Sequence, residues 1–199
     1  MKSKTKIINL FGGPGIGKST IAARVFSELK ERHVSCELVT ELAKDITWEE
    51  THKLLDNQLW LYSEQFRRQF RLLDKVDFVI TDSPLLMYCV YLDKLHARLP
   101  DTLKFSGRHL QRTKSFFKSS FDEFNNINIS LVRAFEYTSL GICIYDYQED
   151  GRIHQLNEAL ELDKEIGDLL TSHTNVDFIY CMTCATKTPH PITEYILNV

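Results

Sequence analysis

Gly12-Gly13-Pro14-Gly15-Ile16-Gly17-Lys18-Ser19 fills every fixed position of the pattern G-x-x-x-x-G-K-[ST]. Before it, Lys6-Ile7-Ile8-Asn9-Leu10-Phe11 reads as a short buried strand. After it, Thr20 to Lys30 reads as a helix with Ile21, Val25, Phe26 and Leu29 on one face. A strand, a glycine-rich loop and a helix in that order are what the motif's chemistry needs. The glycines let the backbone curl until its N–H groups converge on phosphate oxygens. The helix N terminus adds partial positive charge at the same place. Lys18 is expected to reach the outer phosphates of a nucleoside triphosphate, and the Ser19 hydroxyl to ligate Mg2+. The expected cradle is therefore Gly12, Gly13, Pro14, Gly15, Ile16, Gly17, Lys18, Ser19 and Thr20.

Outward from the loop, strands alternate with helices. Strands are expected at Cys36 to Thr40, Val76 to Thr81, Ile127 to Val132 and Val176 to Cys181. Helices are expected at Thr47 to Asp56, Gln58 to Asp74, from Pro84 to Leu95, and Leu156 to Leu170. In the second of these, Leu59, Tyr62, Phe66, Phe70 and Leu73 recur at helical spacing. Such alternation implies a mainly parallel sheet covered on both faces. The 199 residues suffice for a single domain, 1–199, with a sizeable core. Segments 99–126 and 134–155 fit the alternation least well and are candidate substrate-covering elements, or else surface helices and loops.

Composition narrows the class. Hydrophobic residues make up 43%, and the net charge of −3 argues against a generally basic nucleic-acid-binding surface, though not against a local groove. The basic N terminus lacks the apolar region of a secretory signal, and no stretch approaches a membrane span, so a cytoplasmic protein is expected. The cysteines, Cys36, Cys89, Cys143, Cys181 and Cys184, contain one C-x-x-C and no second pair. A structural zinc site needs four ligands, so free thiols are expected.

The third strand ends in Thr81-Asp82-Ser83-Pro84. A carboxylate at the end of an apolar strand is the other half of a triphosphate site, and Asp82 is expected beside Ser19 at the Mg2+. Its structural alternative is a helix N-cap near Pro84, a role open to Ser83 as well. Ligands of open parallel sheets sit beyond the carboxyl ends of the strands. Glu41-Leu42-Ala43-Lys44-Asp45 follows the second strand there, which makes Glu41 a candidate base for an acceptor hydroxyl and Lys44 and Asp45 candidate acceptor contacts. The alternative is an ordinary charged loop. Gln58 and Gln65, seven residues apart on one helix face, are candidate readers of a base edge. Arg133 after the fourth strand, and Arg152 behind Gly151, are candidates to neutralise a transferring phosphoryl group.

These pieces together resemble the small P-loop kinases of nucleosides and nucleotides, especially compact phage-type members. The matching stretches are Gly12 to Ser19, Glu41 to Asp45, Val79 to Leu86, and Gly151-Arg152 before an acidic amphipathic helix. The resemblance implies a three-layer α/β sandwich with a five-stranded parallel core and a helical lid or insert. It implies ATP with Mg2+ as donor, and an acidic residue near Glu41 acting on the acceptor. Similar proteins phosphorylate 5-hydroxymethyluracil within DNA, ribosylnicotinamide, or free deoxynucleosides and deoxynucleotides. The chain lacks the Glu-Arg-Ser run of a typical deoxynucleoside kinase and carries Asp82-Ser83-Pro84 instead. Its basic residues Lys104, Arg108, His109, Arg112, Lys114 and Lys118, with Phe105, Phe116 and Phe117 among them, suit a nucleic-acid backbone or a solvated helix face. A nucleotide-switched binding module is the other class to weigh, and the Asn-Lys-x-Asp signature of a guanine reader is absent.

Overall fold

The computed structural model describes residues 2–104, 106–133, 155–173, 178–182 and 190–199. Five parallel strands form one sheet: β1 (Lys6–Phe11), β2 (Cys36–Val39), β3 (Phe78–Thr81), β4 (Asn125–Val132) and β5 (Phe178–Met182), in the order β2-β3-β1-β4-β5. Each strand pair is parallel, with Ile8 of β1 opposite Ile80 of β3 and Ile127 of β4. Ile7, Ile8, Leu10 and Phe11 of β1 have no exposed surface, as expected of a central strand covered on both faces.

Helices α1 (Lys18–Glu31) and α7 (Pro191–Leu197) cover one face, where Ile21, Val25, Leu29, Ile192 and Ile196 pack on Ile8, Ile80 and Ile129. The other face carries α2 (Leu42–Trp48), α3 (Gln58–Phe70), α4 (Tyr88–Arg98), α5 (Gly107–Asp122) and α6 (Leu156–Ser172). Their apolar residues meet Ile7, Phe11 and Val79 in the larger core. Tyr62 stacks on Phe117 with ring centroids 4.0 Å apart, which joins α3 to α5. Short 3-10 turns lie at His52–Asp56, Leu85–Met87 and Asp101–Leu103.

A polar cluster pins the centre of the sheet. Buried Asn9 donates from Nδ2 to Asn126 Oδ1 at 2.9 Å and Asn128 Oδ1 at 3.0 Å, across the β1–β4 seam. A one-residue slip of β4 would turn both acceptors to the opposite face, so these bonds oppose it.

Two expectations change. The helix expected over 47–56 is instead α2, which begins earlier at Leu42, followed by a 3-10 turn. Glu50 adopts φ 55 between them, a left-handed conformation that interrupts a right-handed helix. The apolar stripe read in α3 is buried only in part, at Tyr62, with Phe66 and Leu73 packed against the core. Gln58, Leu61, Tyr62, Gln65 and Gln69 face inward, while Leu59 and Phe70 are more than half exposed. Segment 99–126 contains α5, which buries Phe117, Ser120 and Phe121. Most of segment 134–155, with Cys143, Gly151 and Arg152, lies outside the described residues, as do Phe105 and Cys184. Cys36 and Cys89 are free and buried.

On the surface of α3, Arg67 and Arg68 hold Glu64, and this bonding brings its pKa from 4.5 down to about 2. A carboxyl whose folded pKa is depressed adds stability above its unfolded pKa and loses it as pH falls through the folded one. Glu64→Gln is therefore expected to lower the melting temperature at pH 7, by a difference that shrinks between pH 4.5 and 2. Parallel melting curves across that range test it, and a constant difference would show that the pairing contributes nothing.

Candidate active site

The phosphate loop leaves β1 at Phe11 and enters α1 at Lys18. Gly17 occupies the N-cap position with φ 98, a left-handed geometry that side chains resist. No side chain caps α1 there, which leaves the helix's first N–H groups for an anion. Gly13 is required for a different reason. A Cβ at this position would stand 2.6 Å from both the Ala159 carbonyl oxygen and Asp163 Oδ1 of α6.

Lys18 is nearly buried, and its ammonium donates to the carbonyls of Gly12 at 2.8 Å and Gly13 at 3.0 Å. Burial pulls its pKa below the ordinary lysine value, against the opposing pull of Glu41, Asp82 and Asp163. Those carboxylates surround the one lysine of the loop.

Ser19 donates from Oγ to Asp82 Oδ2 at 2.6 Å. Asp82 is 2% exposed at the end of β3, and its Oδ1 has no hydrogen-bond partner among the described residues. A buried carboxylate oxygen without a partner is costly, and it suits a cation supplied from outside. The helix-capping alternative for Asp82 and Ser83 is not what forms. The 3-10 turn at Leu85 and α4 at Tyr88 start without side-chain caps. Among the described residues no three His, Cys, Asp or Glu side chains group as a metal cage. Mg2+ bound mainly by phosphates and water needs only one or two protein oxygens, and the Ser19 and Asp82 donors are of that hard type.

Glu41 takes the N-cap position of α2 but makes no side-chain cap bond, so its carboxylate is not spent on the helix. Burial raises its pKa, Lys18 opposes the rise, and Asp82 adds to it. Tyr88 and Tyr91 of α4 share this field, and burial raises both phenols above the ordinary tyrosine value. They remain hydrogen-bond donors where Glu41 can accept a proton. Neither tyrosine was legible as a site residue, because both sit in an ordinary apolar helical pattern. Lys44 is exposed, and Asp45 pairs with Arg68 at 3.2 Å.

Gln65 is fully buried and structural. It accepts from Leu42 N at 3.4 Å and donates to Thr40 O at 3.3 Å, holding the turn that presents Glu41. Gln58 donates to Leu55 O at 2.7 Å, while its buried Oε1 has no partner among the described residues. Tyr62 belongs to the core.

Arg133 lies against the loop. It donates to Pro14 O and to Asp163 Oδ2, each at 2.5 Å. Asp163 in turn accepts from Gly13 N at 2.6 Å. Sequence reasoning missed Asp163, one acid among several on an amphipathic helix.

Comparisons with known proteins bear on the family and the fold. The model of a family described as AAA domain matches residues 7–127, more than half of the 199. No curated protein matches in sequence. Among solved structures, a NadR protein in complex with NR superposes with a TM-score of 0.63 at 14% identity, over 98% of this chain and 51% of that one. This chain thus spans about half the length of that NadR chain. A deoxyadenosine kinase from M. mycoides, with dCMP and dCDP, superposes with a TM-score of 0.57 at 15% identity, over 96% of this chain and 97% of that one. At such identities the likeness is one of fold.

Proposed function

The chain belongs to the AAA domain family, and from that premise we propose that it is an ATP-dependent kinase that moves the γ-phosphoryl group to a hydroxyl of a nucleoside-like acceptor. The observation that carries the reading is the Ser19–Asp82 pair, with Asp82 Oδ1 unpartnered beside Lys18 and Glu41. A phosphate cradle, a cation position and a carboxylate of raised pKa then meet at the carboxyl ends of β1, β2 and β3.

In this reading Lys18 leaves the Gly12 and Gly13 carbonyls and takes the β- and γ-phosphate oxygens. Ser19 and Asp82 would hold Mg2+, which would supply positive charge to offset that of the phosphates. Glu41 accepts the proton of the acceptor hydroxyl as its oxygen bonds to the γ-phosphorus in line with the departing ADP oxygen. Tyr91 orients the acceptor by donating a hydrogen bond. Catalysis is then positioning and electrostatics, as phosphoryl transfer requires.

For the acceptor we propose 5-hydroxymethyl-deoxyuridine within phage DNA, modified in the host cytoplasm. What supports it is α5, where Arg108 and Arg112 are exposed one turn apart and Phe116, a turn further, is 54% exposed. Cations with a stackable ring suit a single strand. Lys114 is engaged by Asp93 and Phe117 is buried, so both are spent on the fold.

The test is transfer of labelled phosphate from ATP with Mg2+ to hydroxymethyluracil-containing DNA, free deoxynucleosides, deoxynucleotides and ribosylnicotinamide. Label on the DNA alone is expected. Label on a free nucleoside would overturn the polymer acceptor, and hydrolysis with no labelled acceptor would overturn the kinase for a nucleotide switch. Glu41→Gln is expected to spare ATP binding and slow transfer about a hundredfold. A base works only when ionised, so wild-type turnover should fall as pH drops through a pKa above the ordinary carboxylate value of 4.5. An unchanged rate in Glu41→Gln would end the base assignment.

A further inference from the structure

Arg133 and Asp163 form a strap on the outside of the phosphate loop. Both ends of that strap bond to loop backbone. Asp163 Oδ1 takes the Gly13 N–H at 2.6 Å, and Arg133 gives a hydrogen bond to Pro14 O at 2.5 Å. The two side chains close on each other through Asp163 Oδ2 at 2.5 Å. Arg133 is 7% exposed and Asp163 is 23% exposed, so the pairing is largely shielded from water. Gly13 has no room for a side chain on this side, because the Ala159 carbonyl and Asp163 already stand at contact. The strap ties α6 and the residue after β4 to Gly13 and Pro14 of the loop.

We propose that Asp163 is a positioning residue for the phosphate loop, and that Arg133 serves it as a counter-charge rather than as a contact to the transferring phosphoryl group. This rests on the loop's being a nucleotide site. A carboxylate beside a phosphate cradle repels the ligand, and Asp163 already acts on Lys18 through its charge. Pairing with Arg133 makes the strap neutral. Asp163 can then hold Gly13 in place without opposing the phosphates. The guanidinium gives its Nε to a carboxylate oxygen and its Nη2 to a carbonyl, the geometry of a fixed structural ion pair.

The assignment makes an unusual demand on double variants. Arg133→Gln leaves Asp163 bare next to the cradle, so ADP and ATP affinity should fall about tenfold or more. Adding Asp163→Asn removes that charge while keeping an oxygen for Gly13 N–H, so the double variant should bind more tightly than Arg133→Gln alone. Had Arg133 touched phosphate directly, removing the Asp163 charge could not bring affinity back to the wild-type level.

Binding of ADP and of AMP-PNP, each with Mg2+, is measured by calorimetry on the whole chain, with cooperative melting checked for every variant. Recovery in the double variant, and a loss of about tenfold in Asp163→Ala, are expected. No recovery, or wild-type affinity in Asp163→Ala, overturns the strap. Should Asp163→Ala fail to fold, the isosteric Asp163→Asn and the double variant decide. These readouts are of nucleotide binding, so a chain that binds nucleotide but transfers no phosphate would overturn the kinase and leave the strap standing.

Discussion

Lys18→Ala is expected to cut phosphoryl transfer by about a thousandfold or more, the scale for removing a fixed charge from a developing anion in a shielded site. The expectation rests on how little else near the cradle is cationic among the described residues. Around Lys18 stand Glu41, Asp82 and Asp163, and of the nearby arginines Arg133 is already bound to Asp163 and Pro14. A triphosphate entering a loop without Lys18 meets three carboxylates and one arginine that is already paired. Backbone N–H groups and the metal would have to offset them. Lys18→Met keeps the length of the side chain and separates loss of charge from loss of packing around a residue that is 8% exposed. Rates with saturating ATP–Mg, beside melting curves for both variants, are the measurement. Transfer within tenfold of wild type in Lys18→Met would mean that the lysine only closes the loop through the Gly12 and Gly13 carbonyls.

The unequal legibility of the site follows from where its information lies in the chain. The loop could be read because its demands are local. Gly17 sits at φ 98 directly before Lys18, and the strand and helix that flank it adjoin it in sequence. Asp82 was legible as the last step of an apolar strand. The strap was not, because Arg133 and Asp163 are thirty residues apart and neither belongs to a spaced pattern.

α3 misled for a related reason. Its apolar stripe suggested which face is buried, yet Gln65 turns inward to satisfy Leu42 N and Thr40 O at the end of β2. Buried backbone groups in a tight strand-to-helix turn need partners, and an amide side chain carries both a donor and an acceptor. That need outweighed the hydrophobic stripe, leaving Leu59 and Phe70 exposed. α5 was obscured by its serines and basic residues, although Phe117 and Phe121 lie four apart on one face.

Asp82→Asn is expected to separate metal binding from nucleotide binding. The half-saturating Mg2+ concentration should rise at least tenfold, the scale of change when a metal site's charged partner is neutralised, and transfer should fall about a hundredfold. Nucleotide binding without metal should move the other way. Asp82 is buried near the phosphates with one oxygen on Ser19 and one unpartnered, so its negative charge opposes a metal-free triphosphate. Removing that charge while keeping an oxygen for the Ser19 hydroxyl should leave ATP affinity in chelator equal to wild type or higher. A structural role for the carboxylate predicts a different pattern, with stability reduced and both affinities weakened together. Calorimetric titrations of ATP with and without Mg2+, on wild type and Asp82→Asn, distinguish the two. Equal metal dependence in both proteins would remove Asp82 from the cation position, and with it the observation on which the kinase reading stands.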